Sequence, residues 1–198
     1  MARFGFETTA EEASRVLADE IRDKTGQLNQ FIYLYSHTYT TLVLITGVSP
    51  GGLGAEAARA ISLSEPGLLI LAGRNMSKVQ ETEKAINATS PHVSIRCLKL
   101  DLSSQKQIRE ASAEVNGYKE PIDRLINNAA IMAAPYAVTE DGLEAQFGTN
   151  YVGHYLFTNL IMSKILEAGK GARIVNVSSI GHMIEGIRFD DYDFSVCC

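Results

Sequence analysis

An α/β chain, with a mostly parallel, doubly wound sheet sandwiched between helices in three layers (α/β/α), is predicted by three observations. From residue 41 onward, short leucine-rich and β-branched runs alternate with amphipathic runs of helical period. The apolar runs are nearly continuous rather than alternating, as in strands buried on both faces. Finally, LITGVSPGGLGAEAARAIS (44–62) opens as such a strand, passes four glycines in the eight positions 47–54, and continues as an alanine-rich helix.

Taken in order, TLVLIT (41–46) is the first strand and 53–64 the first helix. LLILA (68–72) is a strand and 76–88 a helix; VSIRCLKL (93–100) is a strand and 104–116 a helix. IDRLIN (122–127) and ARIVNVS (172–178) complete the set, separated by a long helical stretch near 142–167. Strands joined through helices run parallel, with the helices on the two faces. Ahead of this unit, residues 1–24 are read as an N-terminal helix over 9–23. Thr8 or Thr9 with Glu11 or Glu12 makes a capping box, and Ala13, Val16, Leu17 and Ile21 recur at helical spacing. Residues 25–41 are aromatic and β-branched without helical period, an atypical insert read as an extended loop or extra strand before a nucleotide-binding domain over 42–198. Asn, Gln, Ser and His break its apolar residues, so it lacks the ~20 unbroken apolar positions of a transmembrane helix.

Composition narrows the function. At 198 residues, 45% hydrophobic and 21% charged, the chain can bury a full core as one domain. A net charge of -5 with no basic run argues against nucleic acid or a membrane surface as partner. Cys97, Cys197 and Cys198 have neither metal-ligand spacing nor the pattern of a disulfide framework, which favours a reducing compartment. MARFGFETTAEEASRV has no apolar core of signal-peptide length, so a cytoplasmic location is expected.

Glycine loses more conformational freedom on folding than any other residue, so a cluster of four implies that backbone must come close to something. Ligands of such sheets sit beyond the carboxyl ends of the strands, where the strand order reverses, and a helix starting there points its free N–H groups and positive dipole end at the turn. A pyrophosphate fits that position. About twenty positions past the last glycine stands the residue that reads the adenosine ribose. Here it is Arg74, in LAGRN, with no acid at Gly73 or Asn75. A guanidinium offers bidentate bonds to a 2'-phosphate, so NADP(H) is preferred over NAD(H).

Five motifs stand in order: TGVSPGGLG (46–54), LDL (100–102), NNAA (127–130), GTNYVGHYLFTNLI (148–161) and RIVNVSSIGH (173–182). Over about 42–194 the sequence resembles the short-chain dehydrogenase/reductases, in particular the branch of retinol dehydrogenases, WW-domain oxidoreductases and their fungal relatives. The resemblance implies a Rossmann-like fold and an NADP(H)-dependent oxidoreductase interconverting an alcohol and a carbonyl, with a small-molecule substrate. It implies that Gly47, Ser49, Gly52, Leu53, Gly54, Arg74 and Asn75 contact the cofactor phosphates and ribose. By the same resemblance Asp101 and Leu102 flank the adenine, Asn128 and Ala129 lie along the cofactor, and Asn150 and Ser179 are two of four catalytic residues. Two motifs depart from the family pattern: the glycine turn reads TG-x4-GxG where TG-x3-GxG is commoner, and Ala130 ends NNAA where NNAG is usual.

Ser179 follows a strand at its carboxyl end, where a hydroxyl can donate to a substrate carbonyl; it can equally cap its own backbone. Asn150 can hold a water, hold a backbone bend, or pin helix to loop. His154 and His182 are read as structural donors and acceptors, since neither has partners at metal spacing. The family chemistry also needs a tyrosine with a lysine four residues later, because an unassisted phenol of pKa ~10 is a poor base. None of the eight tyrosines has that lysine; Tyr192 stands thirteen after Ser179 but is followed at that spacing by Val196. The relay is therefore expected to be absent through truncation, leaving an impaired enzyme. The alternatives are a non-catalytic NADP(H)-binding protein or an inactive truncated product that pairs with full-length relatives; separately, a homo-oligomer is open as the assembly state. Another dinucleotide-fold enzyme such as a methyltransferase is disfavoured by Arg74. Truncation is also expected to leave the fifth strand as an exposed edge. Both 25–41 and the tail SVCC are read as retained intron sequence.

Overall fold

The computed structural model describes residues 41–183, 186, 188–192 and 194. The expected helix over 9–23, the segment 25–40 and the tail with Cys197 and Cys198 lie outside the described residues.

Five parallel strands form one sheet: β1 (Leu42–Thr46), β2 (Leu68–Gly73), β3 (Ile95–Lys99), β4 (Arg124–Asn127) and β5 (Arg173–Asn176). Their order is β3-β2-β1-β4-β5, so the winding reverses between β1 and β4. The doubly wound fold read from the sequence is the one observed.

Between the strands lie α1 (Leu53–Ser62), α2 (Met76–Thr89) and α3 (Gln105–Asn116). After β4 come a short α4 (Ala145–Phe147), a π-helical turn (Gly148–Gly153), α5 (His154–Leu160) and α6 (Met162–Glu167). Local chemistry sets the starts. The Asn75 side chain accepts the Lys78 N–H to open α2, and Ser104 Oγ accepts that of Gln107 to open α3. The α2 stripe Val79, Thr82, Ile86 and the α3 stripe Ile108, Ala111, Ser112, Val115 are buried at helical spacing.

Strand residues alternate between two cores, as a period of two requires. Val43, Ile45, Leu69 and Leu71 pack with Ala58, Val79 and Ile86 on one face. Leu42, Leu44, Leu68 and Ile70 pack with Ile108, Val115, Phe157, Ile161 and Ile165 on the other. Helices α1 and α2 thus cover one face, and α3, α5 and α6 the other.

Two expectations are corrected. The strands expected over 122–127 and 172–178 are shorter, and 142–167 is not one helix. It passes through the π-helical turn and breaks again at Ile161, where φ is -103° and ψ 9°. That break lets the Lys164 carbonyl accept the Ile122 N–H at 2.9 Å, tying α6 to the chain entering β4. The edge expected at the fifth strand is present among the described residues: β5 pairs with β4 alone, and Ile174, Val175 and Val177 are exposed.

Candidate functional site

Thr46 ends β1, and the chain then turns sharply through Gly47, whose φ of +76° favours glycine. A Cβ on Gly47 would lie 2.6 Å from Ala129 Cα, and one on Gly54 would lie 2.4 Å from Asn128 Nδ2 and 2.5 Å from the Gly47 carbonyl oxygen. The turn is therefore pressed against the loop leaving β4. Gly52 caps α1 without a side chain, and the first helical bond runs from the Glu56 N–H to the Gly52 carbonyl. The N–H groups of Leu53, Gly54 and Ala55 precede that bond and have no helical acceptor. Leu53 is 78% exposed, so the mouth of this amide cluster is open. Open amides at a helix N-terminus, walled by residues that leave no room for a side chain, are the chemistry of an anion cradle.

Val48 is buried, and its carbonyl accepts the Thr82 hydroxyl of α2 at 2.7 Å. Thr82 was not singled out from the sequence; its only signal is a polar residue inside the apolar stripe of α2.

Asn128 faces the turn. Its side-chain amide donates to the carbonyls of Thr46 at 2.9 Å and Gly47 at 3.2 Å. Its backbone N–H and that of Ala129 both donate to Thr46 Oγ1, at 2.9 and 3.0 Å. The structure thus brings together Gly47, Gly54, Asn128 and Ala129 at the point where the strand order reverses. Arg74 and Asn75 follow β2 on the same edge of the sheet. The Asn75 side chain caps α2, whereas exposed Arg74 has no ion pair or side-chain hydrogen bond among the described residues. Ser49 is exposed on the turn. Asp101 follows β3, and its Oδ1 accepts the Ser103 N–H at 3.0 Å and hydroxyl at 2.6 Å. Leu102 is buried beneath Gly153.

Asn150 lies in the π-helical turn and grips one residue twice. Its amide donates to the Ile131 carbonyl at 2.8 Å, and its Oδ1 accepts the Ile131 N–H at 2.9 Å. The pair of bonds pins the helical side to the loop after β4. His154 follows, 8% exposed, with Nε2 2.8 Å from the Ala129 carbonyl oxygen and Nδ1 3.2 Å from Asn127 Oδ1. Burial holds its pKa below the usual histidine value, opposed by the Ala129 hydrogen bond. The unfolded chain therefore binds the proton more readily, and His154 contributes stability above pH 6.5 that is lost as pH falls through its lowered folded value. His154→Gln is expected to flatten that part of the pH–stability curve, measured by urea unfolding between pH 5 and 7.

Ser179 is exposed beyond β5. Its Oγ accepts the Gly181 N–H at 3.2 Å, and its carbonyl accepts the His182 N–H at 3.2 Å with His182 Nδ1 at 2.6 Å. The serine caps its own turn, and its hydroxyl hydrogen remains available to donate. Tyr192 does not join it: its ring packs on Phe147, centroids 5.3 Å apart, and it has no hydrogen bond among the described residues. These rings, with Tyr151, Phe189, Leu143 and Asn150, line an apolar recess of about 900 Å³. Sequence reading missed the recess; Phe147 and Tyr151, four apart and 5.5 Å between centroids, are its one local signal. Among the described residues no group of His, Cys, Asp or Glu could hold a metal ion, and no helix is long and apolar enough to cross a membrane.

The model of the short chain dehydrogenase family matches residues 41–195. Mouse retinol dehydrogenase 13 is 40% identical over 154 residues, covering 78% of this chain and 45% of that protein. Oxidoreductase fscI of Fusarium equiseti is 39% identical over 155 residues, 76% of this chain and 60% of its own. A short-chain dehydrogenase from Sphingobium yanoikuyae, solved in complex with NADPH, superposes with a TM-score of 0.62 at 23% identity. That pair shares a fold over 78% of this chain and 59% of the other. The chain spans about half the length of the relatives it matches. By that match over most of its length and by those identities, the chain belongs to the short-chain dehydrogenase family, on the retinol dehydrogenase-like branch.

Proposed function

We propose that the carboxyl edge of this sheet binds NADP(H), and that the protein is an oxidoreductase interconverting a small alcohol and a carbonyl. The observation that carries the reading is the glycine turn at the β1/β4 reversal, open onto first-turn amides of α1 that have no acceptor among the described residues. The amides of Leu53, Gly54 and Ala55, with the Ser49 hydroxyl and the close-packed Gly47 and Gly52, would hold the pyrophosphate. Arg74, beside Asn75, would pair with the 2'-phosphate. Asp101 has Oδ1 tied into its own turn. Its second oxygen is left to accept from the adenine amino group, with Leu102 behind the ring. Asn128 and Ala129 would wall the nicotinamide half. When bound, the nicotinamide supplies or accepts the hydride. Ser179 would donate its hydroxyl hydrogen to the carbonyl oxygen of the substrate, and Asn150 would hold the loop beside it. The aromatic recess next to Asn150 suits the apolar part of such a substrate.

The order of cofactor preference rests on Arg74. Arg74→Ala is expected to weaken NADPH binding about tenfold or more while changing NADH binding less than about twofold, the difference expected for losing a charge-assisted contact to one phosphate. Fluorescence titration of both nucleotides checks it; an equal loss for both would remove the 2'-phosphate from Arg74.

A second reading is favoured by one fact of the sequence: none of the eight tyrosines has a lysine four residues later. Without that pair the 198-residue chain would bind NADP(H) without turning it over. NADPH oxidation with a panel of aldehydes and ketones separates the two. Little or no rate is expected for this chain, and a clear rate that disappears in Ser179→Ala would establish catalysis without the relay.

A further inference from the structure

His154 presents both ring nitrogens to acceptors, the Ala129 carbonyl oxygen at Nε2 and Asn127 Oδ1 at Nδ1. A neutral imidazole carries one N–H and cannot serve both. The ring is buried, which disfavours the charged form, and among the described residues no charged side chain counters that effect. The conflict is relieved one step away. Asn127 Nδ2 lies 3.1 Å from Thr158 Oγ1 and 2.9 Å from Asn176 Oδ1. The oxygen and nitrogen of an amide are nearly the same size, so the network decides which faces which. With the amides of Asn127 and Asn176 both turned over, every group has a partner. Thr158 and Asn176 donate to Asn127 Oδ1, the Asn127 amide donates to His154 Nδ1, and His154 Nε2–H donates to the Ala129 carbonyl. The bonds then run one way, from β5 through β4 to the loop beneath the glycine turn.

That loop is held alternately from two sides. Asn128 reaches toward the turn, while Ala129 and Ile131 are held from the helical side by His154 and Asn150. Ala129 is also the surface on which the turn rests, since its Cα would be 2.6 Å from a Cβ on Gly47. Between them there is no slack: a displacement of Ala129 reaches Gly47 directly.

We propose that His154, as the neutral tautomer protonated at Nε2, is a positioning residue for the nucleotide site, holding Ala129 and through it the Gly47 turn. Its consequence for binding rests on the NADP(H) reading above; its effect on the turn does not. The test compares three variants. His154→Gln keeps a donor near the place of Nε2. His154→Phe keeps the ring without a donor, and His154→Asn offers polarity only near the place of Nδ1.

Amide hydrogen exchange without nucleotide is expected to quicken about tenfold at Gly47 and Ala129 in the Phe and Asn variants, for the loss of one buried hydrogen bond, with β2 and β3 unchanged. Gln is expected to stay within about threefold of wild type, and NADPH dissociation constants to follow the same order. Nitrogen NMR of the wild-type ring at pH 7 should show Nε2 protonated and Nδ1 bare. A charged ring, the opposite tautomer, or exchange unaltered in the Asn variant would overturn the proposal; Asn serves in place of Phe if Phe fails to fold. If wild-type protein binds no NADPH, the nucleotide reading fails while exchange and tautomer still decide the role of His154.

Discussion

Gly54→Ala is expected to destabilise the protein by about 2 kcal/mol and to weaken NADPH binding at least about thirtyfold, the range for forcing a methyl group into a closed site. Two effects oppose each other. Alanine is the better helix former by about 1 kcal/mol, and Gly54 is a residue of α1. Against this, the new carbon would meet Asn128 Nδ2 at 2.4 Å and the Gly47 carbonyl oxygen at 2.5 Å. The second contact is backbone and cannot swing aside. The first can move only by giving up the amide bonds to Thr46 and Gly47, which leaves polar groups unsatisfied at about 1–3 kcal/mol. Steric cost therefore wins. For a domain of this size the shift corresponds to a fall of roughly 4–8 °C in Tm. Gly51→Ala is the control. Its φ is +74°, yet among the described residues nothing lies within 4 Å of the added carbon, so only about 1 kcal/mol of torsional strain is expected and binding should change little. Equal behaviour of the two variants, in Tm and in nucleotide titration, would mean that the turn is not a packed cradle.

That contrast marks how far sequence carries. The number of glycines is visible in TGVSPGGLG, but which of them is enclosed depends on Asn128 and Ala129, more than seventy residues away in the chain and adjacent only once β1 and β4 pair. Strands were legible because LVLIT and LLILA are apolar without interruption, whereas the capping roles of Asn75 and Ser104 at the starts of α2 and α3 emerge only in the structure. The stretch 142–167 was misjudged for the opposite reason. Its periodicity is helical throughout, and nothing in it marks the π-helical turn over Gly148–Gly153. The direction of Asn128, toward the turn, and the support of Val48 by Thr82 are likewise products of packing. Asn150 was legible as a candidate, but its grip on Ile131 requires knowing that the loop after β4 folds back over the π-helical turn.

The last residue of that turn gives the other large effect. Gly153→Ala is expected to cost about 3 kcal/mol, at the upper end for overpacking, and to lower Tm by roughly 6–12 °C. A Cβ at Gly153 would stand 2.3 Å from the Leu102 carbonyl oxygen, 2.9 Å from its Cβ and 3.1 Å from its carbonyl carbon. None of these atoms is the free end of a side chain, so the start of α5 and the loop after β3 must move apart by roughly 1 Å to restore ordinary contact. Movement on the helical side carries Asn150 and His154 away from Ile131 and Ala129, loosening the loop beneath the glycine turn. Movement on the strand side shifts Leu102 and its neighbour Asp101. One methyl group thus disturbs both halves of the proposed nucleotide site at once, and NADPH binding is expected to weaken more than about tenfold. Leu102→Gly in the Gly153→Ala background should recover little, because the closest contact is to a main-chain oxygen that the second substitution leaves in place. Substantial recovery in calorimetry and nucleotide titration would instead locate the conflict in the leucine side chain.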